Sequence, residues 1–328
     1  MSIRASKKSK GKFLNQIPTQ SASFSKIIPI IKAYASNKAE VVPAISPGPF
    51  KTDLTAFSTP SESGLRITWI GHSSLLIEIG SIRILTDPIW SERASFSQRF
   101  GPKRFFQPPL SLEDLPKIDA VIISHDHYDH LDKNTIRHFA GTTIPFYCSL
   151  GIKPLLKQWG IVSNYISEMD WGDSVMIGDC ILTAAPARHF SGRGLTNRNE
   201  TLWSSFVIKS TKQKIFFGAD SGWFPGFEDI NEAFGPFDLT MLEIGASSKY
   251  WPDIHMGPDL ASDAHLALQG KLMMPIHWGT FNLALHAWDE PIKQLLKYAA
   301  EKNIELFIPE PGKPTEVTGP HHSNWWKK

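Results

Sequence analysis

The stretch VIISHDHYDHLD, Val121 to Asp132, places three histidines and two aspartates within six residues, directly behind a short apolar run that reads as a buried strand. No other feature constrains the chain as strongly. Unpaired polar and ionisable groups cost roughly several kcal/mol each to bury, so a core has no use for such a cluster, whereas a metal repays the cost. Imidazole and carboxylate are the usual ligands of Zn²⁺ and similar divalent ions. The spacing H-x-H-x-D-H cannot bring His125, His127, Asp129 and His130 to one tetrahedral ion from a single regular element. A tight loop can split them, His125 and His127 facing one ion and Asp129 and His130 a second. Two ions about 3.5–4 Å apart need further ligands, including a shared carboxylate.

The remaining ligands are sought at similar places. His189 in APARHFSGRG follows the apolar run CILTAAP, and His277 in LMMPIHWGTF follows another. Asp220 in FFGADSG ends a strand and suits a bridge between both ions. Any one of these is more often structural; together with the dense cluster they read as a metal centre. Metal-bound histidines usually pass their second ring nitrogen to a carboxylate or carbonyl. Asp87, at the end of RILTD, is therefore expected to orient His125 or His127. His72 in IGHSS either faces the floor of the site or caps a hairpin, and Asp132 is expected to cap the helix that follows the cluster.

The chain carries an internal echo. SSLLIEIGSIRILTD (Ser73–Asp87) and SSFVIKSTKQKIFFGAD (Ser204–Asp220) are both strand-turn-strand units that open with Ser-Ser and end in an aspartate. Gly80-Ser81 marks the turn of the first. KNTIRHFA and the segment closed by LKQWG read as helices. Two similar β-rich halves, each followed by helices, predict an α/β fold of four layers, an αββα sandwich. Residues 63–310 are read as one domain. Residues 1–62 are read as a basic arm and a Pro/Ser/Thr-rich extended lead-in, and 311–328 as a surface tail.

SHDHYDHLD, PARHFSGRG, GADSG and PIHWGTF resemble the metallo-β-lactamase superfamily over about residues 65–300. WIGHSSLLIE, TDPIWSERAS and GPKRFFQPP are similar to the branch of N-acyl-phosphatidylethanolamine-hydrolysing phospholipase D and the ascorbate-6-phosphate lactonase-like proteins. The resemblance implies the metallo-β-lactamase fold and a dinuclear zinc site, with Mn²⁺ or Fe²⁺ as other candidate ions. By matched position it assigns His125, His127 and His189 to the first zinc, Asp129, His130 and His277 to the second, and Asp220 to the bridge.

Charge and cysteine content place limits around this. Residues 1–40 hold eight Lys and Arg against Glu40 alone, +7, which leaves the other residues at −5 within a net charge of +2. Such an arm is either a solvated, partly disordered terminus or a peripheral contact with an anionic membrane; SFSKIIPIIKAYAS could add a short interfacial helix, weakened by Pro29. No apolar run reaches the roughly 18 residues of a membrane span, and no secretory signal is apparent. With only Cys148 and Cys180, a disulfide scaffold is disfavoured and a reducing cytoplasm fits best. Oligomeric state is not legible.

Two divalent ions lower the pKa of a bridging water and yield hydroxide near neutral pH. Asp129 and Asp220 are candidates to orient that water and carry protons; His255 in DIHMGP resembles a position near the substrate in the family, which implies a proton donor to a leaving oxygen, the alternative being a surface-loop histidine. Trp251, Phe281 and Arg193 are candidate substrate contacts, alongside Lys103 and Arg104; aromatics at such spacings are more often core, and loop basics more often solvated. The phospholipase likeness implies a phosphodiesterase acting on N-acyl-phosphatidylethanolamine-like phospholipids. A lactonase or other carboxylic-ester hydrolase on the same site is the first rival. A diiron oxidoreductase is disfavoured because no glutamate replaces a histidine of the cluster and no electron-transfer domain is evident. A nuclease has little room for an inserted domain in the 56 residues from Asp220 to His277, so nucleic acid is not an expected partner.

Overall fold

A computed structural model describes residues 3–20, 29, 32–33, 36–194 and 196–327. The first sheet begins with the segment that alternates apolar residues around Gly80-Ser81. β3 (Leu65–Gly71), β4 (Ser74–Ile79) and β5 (Ile82–Thr86) pair antiparallel, with Ile79 opposite Ile82 across the turn. β6 (Ala120–Ile123), β7 (Phe146–Ser149) and β8 (Ile166–Met169) continue it in parallel. Side chains of a strand alternate between faces. Ile77, Ile84 and Ile122 accordingly point to the core between the sheets, while Leu76, Leu85, Val121 and Ile123 pack outward with Ile136 and Leu156 of the helices Lys133–His138 and Lys153–Gln158. Both faces are covered, as parallel strands require.

The second sheet repeats the plan. β9 (Ser174–Ile177), β10 (Cys180–Ala185), β11 (Ser205–Lys209) and β12 (Lys214–Phe217) are antiparallel; β13 (Phe237–Glu243) and β14 (Gly270–Ile276) extend it in parallel from β12. Helices Gly226–Phe234, Gly257–Ala267 and Glu290–Lys302 accompany this half, Ile230, Ala261 and Leu295 joining its core. The expected four-layer sandwich is thus formed, and the two echoed hairpins are β4–β5 and β11–β12, which occupy corresponding places in the two sheets.

Both ends of the chain depart from expectation. β1 (Lys7–Ser9) and β2 (Lys12–Leu14) form a hairpin whose Phe13 is buried with Trp171, Leu202 and Trp203, so residues 3–20 are part of the folded body rather than a free arm. The proposed interfacial helix, residues 23–36, falls mostly outside the described residues. The tail is no surface extension either. β16 (Thr315–Glu316) adds an edge to β3, and β17 (His321–His322) pairs with β15 (Phe307–Ile308). Trp325 is fully buried, 5.0 Å from Trp278, 5.6 Å from Phe50 and 5.7 Å from Trp69 by ring centroids. A Cβ at Gly279 would stand 2.7 Å from that indole, at a backbone φ of +64°. The Trp-Trp pair closes the core; its polar flanks concealed this from a reading of local composition.

Candidate metal centre

Every expected ligand lies just beyond a strand end on one side of the sandwich: the cluster follows β6, His189 follows β10, Asp220 follows β12 and His277 follows β14, and the supporting Asp87 follows β5. Four non-glycine residues here take left-handed backbone: His72 at φ 55°, Asp87 at 35°, Ala219 at 48° and His277 at 61°. Such conformations cost about 1–3 kcal/mol each and persist where surrounding structure enforces them. The enforcement is visible. The His72 carbonyl accepts the His277 N–H (3.1 Å) and the Trp69 indole N–H (3.0 Å), while the His72 N–H donates to Thr280 Oγ1 (2.8 Å). His72, between β3 and β4, is therefore a strap joining the two sheets. Gly245 lets this joint close, since a Cβ there would sit 2.1 Å from the His277 carbonyl oxygen.

The cluster loop splits its ligands in the expected way. His127 Nδ1 lies 2.9 Å from His125 Nε2 and 3.2 Å from His189 Nε2, and Asp220 Oδ2 stands 3.8 Å and 3.7 Å from those two nitrogens. On the other side, Asp220 Oδ1 is 3.1 Å from His130 Nε2 and 3.2 Å from His277 Nε2, while Asp129 Oδ2 is 3.5 Å and 3.3 Å from the same pair. Asp220 thus offers one oxygen to each set. Ligands about 2.0–2.1 Å from a tetrahedral ion are spaced about 3.3–3.4 Å apart, so both sets fit a divalent ion. His130 Nε2, His277 Nε2 and Asp220 Oδ1 are moreover buried atoms without hydrogen-bond partners, an arrangement that a cation would complete.

The protonation balance differs between the sets. Burial holds His125 and His189 well below the ordinary imidazole range and His127 at about 4, leaving neutral rings of the kind metals bind. Burial also opposes charge on His130 and His277, but Asp220 and Asp129 outweigh it. His130 is held well above the ordinary value, and His277 is pushed up to about 10. The carboxylate-rich half therefore attracts positive charge even as protons.

Asp87 is placed differently from expectation. Its Oδ2 accepts from His130 Nδ1 at 2.8 Å, and it reaches His125 only through Ser124, whose hydroxyl donates to Asp87 (2.6 Å) and accepts from His125 Nδ1 (2.9 Å). His189 Nδ1 donates to the Ile254 carbonyl at 2.9 Å. His72 faces the site as well as tying the sheets, its Nε2 2.9 Å from Asp129 Oδ2. Asp132 is the helix N-cap, accepting from Asn134 N (3.1 Å), and it also holds Ser91.

The candidate substrate contacts are divided. Phe281 is buried with its ring 5.3 Å from His72, beside the site. The Trp251 indole N–H is committed to the Ala246 carbonyl at 2.7 Å. Arg193 braces the cluster rather than extending toward solvent: Nη1 donates to the Asp126 and Leu131 carbonyls (2.7 and 2.8 Å), and the guanidinium stacks on Tyr128 at 3.9 Å. Arg104 is likewise buried, donating to the Ser91 and Ile89 carbonyls. Lys103 pairs with Glu92 at 2.7 Å on the surface.

His255 stands at the margin, its ring centroid 5.1 Å from that of His189 and 5.3 Å from that of His277. Its Nδ1 is 2.5 Å from Glu243 Oε2, and Glu243 Oε1 accepts the Ser221 N–H at 2.8 Å. Burial pushes the Glu243 carboxyl up, against the pull of His255. Sequence reasoning missed Glu243, although an acidic residue ending the apolar run LTMLE occupies the same strand-end position as Asp220. It also missed Asn15, whose partner lies 174 residues away.

A sandwich whose strand-end loops bring together neighbouring His/carboxylate groups, with Asp220 facing histidines of both sides, defines the chain as a metal-dependent hydrolase. The chain belongs to the beta-lactamase superfamily: the family model described as a beta-lactamase superfamily domain matches residues 82–278, well over half of its length. An uncharacterized protein of Mycobacterium tuberculosis is 42% identical over 298 residues, covering 89% of this chain and 78% of that one. The N-acyl-phosphatidylethanolamine-hydrolyzing phospholipase D 1 of Caenorhabditis elegans is 38% identical over 241 residues, 70% of this chain and 68% of the relative. Among solved structures, a metallo hydrolase of the archaeon Ignicoccus hospitalis matches with a TM-score of 0.58 at 22% identity, over 76% of this chain and 97% of that one, a likeness of fold.

Proposed function

We propose that the chain is a dinuclear zinc phosphodiesterase acting on N-acyl-phosphatidylethanolamine-like phospholipids. The observation that carries the hydrolytic reading is Asp220, one carboxylate facing two histidine sets. The 38% identity to the nematode phospholipase supports the substrate class. His125, His127 and His189 would hold one ion, Asp129, His130 and His277 the other, with Asp220 shared. When bound, two zinc ions supply a water of lowered pKa and a clamp for phosphate oxygens.

The chain's own residues do the rest. Asp129 and Asp220 fix the orientation of the attacking water and accept its proton. His255, its ring held by Glu243 through Nδ1, would protonate the departing oxygen. Phe281 and His72 form an apolar-edged wall that keeps bulk water from the Asp129 side. The bond formed is from water oxygen to phosphorus, and the bond broken is from phosphorus to the N-acylethanolamine oxygen, which leaves phosphatidic acid. A cytoplasmic location accords with the two buried free thiols, Cys148 and Cys180; among the described residues no helix is long and apolar enough to cross a membrane.

The test combines metal content by mass spectrometry with hydrolysis of bis-p-nitrophenyl phosphate and an N-acyl-phosphatidylethanolamine, for wild type and Asp220→Ala. About two zinc ions per chain and lipid cleavage lost in the variant support the reading. Zinc with cleavage of esters or lactones alone moves the substrate. Iron with no hydrolysis sinks it.

A further inference from the structure

Ten large apolar side chains stand exposed among the described residues, and four of them lie on two neighbouring segments at one side of the metal centre. Phe96 is 79% and Phe100 69% exposed on the loop between β5 and β6; Val42 is 50% and Ile45 85% exposed on the lead-in. Val42 and Pro43 share a cleft of about 530 Å³ with Gly101, Lys103 and Asn282, and Ser46 Oγ donates to the Phe105 carbonyl at 2.8 Å. Two phenylalanines left in water at loop positions cost hydrophobic free energy that a monomer gains nothing by forgoing.

The loop is not loosely attached. Its start is held by Ser91, whose N–H and hydroxyl both donate to Asp132, and by Trp90 N–H donating to Thr135 Oγ1. Its end bridges to the site wall through the Arg104–Phe281 pairing. Phe96 stands 6.5 Å from the ring of Tyr128, inside the metal-binding cluster loop. The phenylalanines are therefore presented on a fixed frame beside the cluster loop. The same loop carries Arg93, Arg99 and Lys103 against Glu92; Glu92 pairs with Lys103 and Arg93 Nη1 donates to the Gly101 carbonyl at 2.6 Å, while Arg99 is exposed next to Phe100 in the chain. Exposed aromatics within a cationic rim are complementary to a surface of acyl chains under anionic headgroups.

We propose that the loop Ser91–Lys103, together with Val42 and Ile45, is the face on which this chain docks to an anionic lipid bilayer, with Phe96 and Phe100 entering the interface. This assigns to the loop the contact expected of the N-terminal arm. In the arm, Lys12 is instead spent on the Thr196 and Arg198 carbonyls and Lys8 lies over Phe13. The inference rests on the lipid reading of the metal centre for its purpose, though not for its geometry.

Flotation of the full chain with vesicles of phosphatidylcholine alone, or mixed with phosphatidylglycerol, tests it. Wild type is expected to float with the mixed vesicles. Phe96→Ser/Phe100→Ser should weaken that binding about tenfold or more, and Arg99→Glu should weaken it only where anionic lipid is present. Turnover of soluble bis-p-nitrophenyl phosphate should be unchanged in all of them, which shows the fold intact. Wild type that floats with neither vesicle, or a double variant that floats as well as wild type, overturns the proposal. So does a dimer, seen by light scattering, that the double variant breaks, since the patch then joins copies of the chain. A chain that floats but cleaves no N-acyl-phosphatidylethanolamine, even in detergent micelles, refutes the proposed substrate and leaves the docking face standing.

Discussion

The side-chain amide of Asn15 brackets the backbone of His189: Nδ2 donates to the His189 carbonyl at 2.7 Å, and Oδ1 accepts the His189 N–H at 3.0 Å. The hairpin that carries Asn15 is anchored by buried Phe13 and by Lys12 on the Thr196 and Arg198 carbonyls. His189, proposed to hold the first ion, is thus fixed by a residue 174 positions away in the chain. Asn15→Ala removes both bonds while leaving the imidazole in place. Supporting residues of this kind typically govern metal affinity by about 10–100-fold, so zinc affinity in chelator competition should fall by that order with the far-ultraviolet spectrum unchanged. Affinity equal to wild type would mean that β10 alone positions His189.

Asp220→Asn retains the shape of the bridge but removes its charge. His130 and His277 lose the Asp220 charge that helps keep their protonated forms stable, although Asp129 stays beside both, Asp87 at His130 and Glu243 near His277. Metal content should drop below wild type and diester hydrolysis by at least about 10²-fold. Retention of both metal and rate would assign the bridge to another group.

Trp325→Ala should behave as a core truncation. An indole surrounded by Trp69, Trp278 and Phe50 leaves a cavity that neighbours cannot fill, at a cost of about 3–5 kcal/mol. Urea unfolding measures it. A change within about 0.5 kcal/mol, the range for surface sites, would return the tail to the surface.

His265 supplies a pH dependence away from the metal centre. Burial lowers its pKa from 6.5 to about 4, and its Nδ1 lies 2.8 Å from Thr240 Oγ1. As pH falls below 6.5 the unfolded chain takes up this proton first, so the unfolded state gains. Stability from this site is intact above about pH 6.5 and declines toward pH 4, by about 3 kcal/mol in all. The difference between wild type and His265→Gln across that window should show this slope; parallel curves would contradict it.

What local pattern encodes was legible. Apolar runs of strand period, each ending in His or Asp, revealed both the echoed halves and the seven residues that the fold gathers, with His72, Glu243 and His255, into three neighbouring His/carboxylate groups. Burial of those runs and the side to which strand ends point both follow from spacing within a few residues. The sequence could not say which carboxylate meets which imidazole. Asp87 was matched to the wrong histidine because sheet pairing, not sequence distance, brings it to His130. Arg193, Glu243 and Asn15 owe their roles to partners reached across the fold. The Trp-Trp tail was hidden by polar neighbours, since composition averages over residues that tertiary structure separates. The sequence by itself determined the ligand types, their strand-end placement and the layered fold, because these rest on short-range periodicity. Only the tertiary structure decided how the ligands are partnered and that both chain ends complete the body, because those contacts join residues far apart in the chain.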